Sequence, residues 1–259
     1  MKKILILFSF LLIFSAGFGQ THFGAPEVDP IIIQSKFVDW SAYQNKNIML
    51  SRDFVAVDAT SQVITKDVFL NALTTGNYLP IRLLSTDSLY YYQLFAIAPT
   101  SDTSIKATIA QLAFDEYEHF KMEGKPFPSF NFVDLNGNRV TNATMKGKLV
   151  IIKCWYIHCP ACIKEFPFVN ALVEQYKDRN DILFVSFAED TPEQLKAFLA
   201  KKSLSYSVIP DMKIYMNEAL HLNSFPTHFI LDKEGYIVKV LLNYESLEVA
   251  LRQASGLKK

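Results

Sequence analysis

Two cysteines, Cys159 and Cys162, stand three residues apart in the run Trp155-Tyr156-Ile157-His158-Cys159-Pro160-Ala161-Cys162. Thiols at that spacing support three chemistries: half of a zinc site, a purely structural bridge, or a dithiol that exchanges with other disulfides. Zinc needs two further ligands. The sequence holds three cysteines and five histidines in all; Cys154 lies inside an apolar run and the histidines are scattered. A structural bridge here would close too small a loop to constrain the unfolded chain much. The redox dithiol fits best.

That chemistry needs one thiolate exposed at a helix N-terminus. Lys148 to Cys154 is an apolar run with little alternation, which predicts a strand buried on both faces. Ile163 to Tyr176 carries apolar residues at helical spacing, with Pro167 predicting a kink. The cysteines therefore sit where a strand ends and a helix begins, with Pro160 at the first helical position. Unpaired N–H groups and the helix dipole favour a thiolate at Cys159. Cys162, one turn on and less exposed, is placed to attack a mixed disulfide formed on Cys159.

Gly147-Lys148 with its apolar strand, Trp155, the Cys-x-x-Cys and Glu165-x-Pro167 resemble the extracytoplasmic thioredoxin-like reductases of the TlpA/ResA type. The resemblance covers residues 125–259. It implies a thioredoxin-like α/β fold, a central mixed sheet flanked by helices. It also implies a thiol–disulfide oxidoreductase of the protein-disulfide reductase type, with the Cys159–Cys162 disulfide as its only redox group, no separate cofactor and no metal. Its partners would be protein thiols and disulfides and a membrane electron donor, in the service of cytochrome c biogenesis. In Phe225-Pro226-Thr227 the resemblance makes Pro226 a cis-proline facing the dithiol, with Phe225 touching the substrate. Trp155, His158 and Pro160 complete the expected substrate-binding surface. A glutamate near the dithiol carries over to Glu189, a third catalytic residue acting as base toward Cys162; its alternative is a solvated acid at a helix entrance.

The chain departs from the thioredoxin pattern at Lys153, where cytoplasmic thioredoxins carry aspartate. A lysine there either pairs with Glu189, lowers a thiol pKa, or snorkels out of the sheet edge. Cys154 reads as a small buried hydrophobe. Two other functions compete. A copper-binding, Sco-like metallochaperone needs a distal histidine, for which His221 or His228 is the candidate. A peroxiredoxin-like peroxidase needs Pro-x-x-x-Thr-x-x-Cys, and Ile152 and Tyr156 occupy the proline and threonine places.

With 26 basic and 26 acidic residues there is no basic surplus for a nucleic-acid partner. Residues 1–19 read as a signal peptide: Lys2-Lys3, an apolar core from Ile4 to Phe14, then small residues. Secretion to the periplasm or cell envelope of a bacterium follows, with no stable membrane insertion after cleavage. Residues 20–100 predict a small α+β domain of unassigned role. Its opening (20–35) reads as a mobile lead-in, Pro80 demotes its strand to a sheet edge, and Tyr90-Tyr91-Tyr92 reads as a binding surface or, more simply for at least one Tyr, as core. Residues 101–124 read as a linking amphipathic helix with His119 in solvent. Residues 125–259 alternate strand and helix and end in a hairpin at Asp232-Lys233-Glu234-Gly235. Thr191-Pro192-Glu193-Gln194 forms a capping box.

Overall fold

The structure, a computed structural model, describes residues 22–256; the expected signal peptide lies outside them. The N-terminal half runs β1 (Phe23–Pro26), α1 (Pro30–Ile33), α2 (Phe37–Asn47), β2 (Val55–Val57), β3 (Val63–Ile64), α3 (Lys66–Thr74), β4 (Tyr78–Ser85), β5 (Tyr91–Ala96) and α4 (Thr103–Phe120). Its sheet has the order β1-β4-β5-β2-β3. Trp40, Phe69, Leu70, Leu73 and Tyr92 fill one core with Ile105 and Ile109 of α4. The helix expected as a linker is thus an integral layer of this half. Gly76 marks the contact: at φ +67° it ends α3, and a Cβ there would lie 2.8 Å from the Lys106 carbonyl oxygen, so only glycine fits without movement.

Several expectations change here. The lead-in is structured: β1 pairs with Leu83–Ser85 of β4, and Asp29 caps α1. The β4 strand is internal to the sheet. Pro80 is tolerated because the β1 pairing stops short of it and only Leu94 of β5 stands opposite. His119 is buried rather than solvated, with Nδ1 lacking a partner; burial depresses its pKa. Tyr91 and Tyr92 are both core, and the Tyr92 hydroxyl donates to the Asn47 carbonyl at 2.8 Å.

The C-terminal half runs β6 (Asn131–Val133), β7 (Arg139–Thr141), α5 (Asn142–Met145), β8 (Leu149–Trp155), α6 (Pro160–Lys164), α7 (Phe166–Gln175), β9 (Ile182–Ala188), α8 (Pro192–Leu199), β10 (Ser207–Ile209), α9 (Lys213–Glu218), β11 (Thr227–Leu231), β12 (Ile237–Leu241) and α10 (Tyr244–Ala254). Its sheet has the order β10-β9-β8-β11-β12. The first three strands are parallel and the last two antiparallel. Every residue of β8 is buried. Val150, Ile152 and Cys154 face a core with Phe127, Phe130 and Phe187; Leu149 and Ile151 face Val169, Leu172 and Leu251. This two-faced burial explains the run's missing alternation. The capping box at Thr191 and Gln194 forms as expected. The fold is thioredoxin-like, behind a separate N-terminal α+β unit.

The two halves meet along β12 and α10. Gly124 and Lys125 pair with Ile237 at 2.7 and 2.8 Å, which covers the sheet's open edge. Arg52 Nε donates to Ser246 Oγ at 3.1 Å. Lys239 bridges Asp53 at 2.6 Å and Glu123 at 3.1 Å. Among the described residues no helix is long and apolar enough to cross a membrane.

Candidate active site

Cys159 and Cys162 form a disulfide with their Cα atoms 5.3 Å apart. Cys159 is the N-cap of α6, with extended backbone, and the Cys162 N–H donates to its sulfur at 3.1 Å. Pro160 opens the helix, as Cys-Pro spacing requires. Cys159 retains 3% exposure and Cys162 none, so an incoming partner meets Cys159 first. The preceding loop is pinned: Ile157 N–H donates to Asp190 Oδ2 at 2.8 Å, and Glu189 N–H to the Trp155 carbonyl at 3.2 Å. Asp190 escaped the sequence reading, because nothing local to it marks a contact with a loop 33 residues earlier. His158 and Pro160 are exposed on either side of Cys159.

Trp155 is not where a substrate contact would be. It is wholly buried and packs edge-on against Phe166 at 4.9 Å, behind the disulfide. As the last inward residue of β8 it serves the core. The Phe225–Pro226 bond is cis. Thr227 pairs with Cys154, which brings Phe225 and Pro226 alongside the end of β8. There the Phe225 ring meets Tyr156 edge-on at 5.4 Å. Cys154 is buried, and burial pushes its thiol pKa far up.

Lys153 neither snorkels nor pairs with Glu189. It is fully buried on β8, and its ammonium contacts Glu165 Oε2 at 2.5 Å. His228 stands directly opposite Lys153 on β11; its Nε2 lies 3.0 Å from the same oxygen. Tyr244 N–H donates to Glu165 Oε1 at 2.7 Å. Glu165 occupies the junction between α6 and α7, where Pro167 turns the expected kink into a break between two helices. Burial would raise the Glu165 pKa, but the His228 hydrogen bond and charge and the Lys153 charge together hold it down at about 2. Burial lowers Lys153, with Glu165 opposing. Burial and then the Lys153 charge lower His228. The Glu-x-Pro signal was visible in the sequence, but the partners of Glu165 lie 12 and 63 residues away. His228 is wholly buried, with Nε2 against Glu165 and Nδ1 without a partner. Glu189 is instead half-exposed at the end of β9. Burial raises its pKa, Lys213 lowers it and Asp190 raises it further.

Residues 122–255 match the family model described as Redoxin, more than half of the chain. The chain belongs to the Redoxin family. It is 28% identical over 141 residues to the thiol-disulfide oxidoreductase ResA of Bacillus cereus, a match spanning 54% of this chain and 81% of that relative. The thioredoxin-like protein YneN of Bacillus subtilis is 32% identical over 117 residues, 44% of this chain and 68% of its own length. Among solved structures, a thiol:disulfide interchange protein from Bacteroides sp. is 25% identical at a TM-score of 0.47, covering 53% of this chain and 93% of that one. This redoxin chain thus carries its paired cysteines at the N-terminus of α6 in a ResA-like domain.

Proposed function

We propose that the protein is a protein-disulfide reductase working outside the cytoplasm. It is a thiol–disulfide oxidoreductase, and the observation that carries the reading is the asymmetry of its cysteines: Cys159 caps a helix at the surface and Cys162 is wholly buried one turn on. In the reduced form the Cys159 thiolate attacks a substrate disulfide, forming a mixed disulfide and releasing one substrate thiolate. Cys162, deprotonated, then attacks the Cys159 sulfur. The second substrate thiol leaves, and two electrons have passed to the substrate. The protein ends with the Cys159–Cys162 bond seen here, which a membrane dithiol donor reduces again. Phe225 and Pro226, beside the motif, form the wall along which a substrate strand lies; His158 and Pro160 form the opposite lip. Glu189 takes the Cys162 proton. Lys153 and His228 hold Glu165 ionised and committed, so Glu165 anchors the dithiol helix to β8, β11 and α10 and does not carry protons.

The test is insulin reduction with single-cysteine variants. Cys159→Ser should abolish turnover, while Cys162→Ser should accumulate a covalent mixed disulfide with the substrate. Turnover surviving in Cys159→Ser would refute the assignment.

A further inference from the structure

One flank of Cys159 opens, beyond the His158 and Pro160 lip, into a surface groove. Its floor is apolar: Ile157 from the loop, Ile163 from α6 and Phe198 from α8. Its rim carries two cations, Lys164 on α6 and Lys202 just beyond α8. Among the described residues no carboxylate lines it. Lys164 and Lys202 are exposed, and neither joins an ion pair among the described residues. Asp190 Oδ2 accepts from the Ile157 N–H beneath the loop at 2.8 Å. That bond fixes the loop, so the groove is formed before a partner arrives. The whole chain is electrically balanced, with 26 basic and 26 acidic residues, so the unpaired lysines are a local feature.

We propose that this groove selects protein substrates whose target cysteine is flanked by acidic residues beside an apolar one. The inference rests on the exchange reading above. An apolar side chain of the substrate covers the Ile163–Phe198 floor. A carboxylate next to the reacting sulfur meets Lys164 or Lys202. Unpaired charges at the rim of a contact chiefly raise the association rate and reject partners of like charge. Being solvent-exposed, they are screened as salt rises. The preference should therefore appear in kcat/KM at low ionic strength and fade toward high salt.

The experiment uses the reduced full chain and two synthetic peptide disulfides, identical except for Glu or Lys residues flanking the cysteine. The ratio of their kcat/KM values cancels any general change in dithiol reactivity or folded fraction. The wild type should favour the Glu peptide by about tenfold at low salt, a preference that falls toward one at high salt. The double variant Lys164→Glu/Lys202→Glu should invert the ratio. Equal rates for the two peptides in the wild type, or a ratio that the double variant leaves unmoved, would overturn the groove's role while leaving the exchange function intact. Failure to react with either peptide would overturn both.

Discussion

Each half of the molecule buries a cluster of charges, and the two clusters behave in opposite ways. Beneath the disulfide, Glu165 touches Lys153, His228 and the Tyr244 N–H directly, and those contacts outweigh burial and leave it ionised. At the junction between the halves, Glu116 is buried on α4. Burial there wins, and its pKa rises to about 7 although Lys66 opposes, with Glu123 and Asp115 adding to the rise. Lys66 meanwhile donates to the Arg52 carbonyl at 3.0 Å and sits over the rings of Phe54 and Phe120. The difference lies in contact geometry. Direct hydrogen bonds keep a buried carboxylate charged, whereas a counter-charge acting only through space leaves it free to take a proton.

The largest test of this contrast removes the lysine from each cluster. Lys153→Met leaves Glu165 buried with one partner lost, and should cost about 3–5 kcal/mol in urea unfolding at neutral pH. Lys66→Met should cost only about 1 kcal/mol at pH 6, because Glu116 is already largely protonated there and loses no counter-charge it depends on. Equal losses would erase the distinction between the clusters.

Stability against pH sharpens it further. The raised Glu116 pKa means that the native state holds more protons than the unfolded state between 4.5 and about 7, so stability falls as pH rises through that window. The span is up to about 3 kcal/mol, and Glu116→Gln should abolish this slope. The C-terminal cluster has the reverse sign. With Glu165 depressed from 4.5 to about 2 and His228 lowered from 6.5, the unfolded state binds more protons in acid. Stability there is present above pH 6.5 and is lost as pH falls, first through His228 and then through Glu165. A Glu116→Gln protein that still loses stability on going from pH 5 to pH 7 would place the slope in some other group.

The dithiol and its scaffold were legible because their signals are local. Cys159 and Cys162, the apolar run of β8, the Thr191 capping box and the hairpin turn at Gly235 each lie within one short window. The charge clusters were not, because a lysine's partner depends on which strands become neighbours. Lys153 meets His228 only after β8 and β11 pair. The polar α2 helix, which buries little beyond Trp40 and Tyr43, gave too weak a periodicity to register. His119 lies off the apolar stripe of α4 yet is enclosed by what surrounds it. Trp155 belonged to the right motif and the wrong role, since a motif gives position and only packing gives exposure.

The smallest expected effect on stability belongs to Glu189. As the proposed base for Cys162 it should matter to rate and hardly to stability, unlike either buried cluster. Glu189→Gln is expected to slow disulfide exchange by about ten- to a hundredfold with an unchanged urea midpoint. Superimposable pH–rate profiles for variant and wild type would make Glu189 a solvated helix-entry acid.

The division of labour between the cysteines is tested most directly by timed alkylation of the reduced protein at neutral pH, read by peptide mass spectrometry. Cys159 at its helix N-cap should be labelled first, Cys162 much more slowly, and buried Cys154 only on unfolding. Labelling of Cys162 ahead of Cys159 would contradict the assignment of nucleophile and resolving thiol.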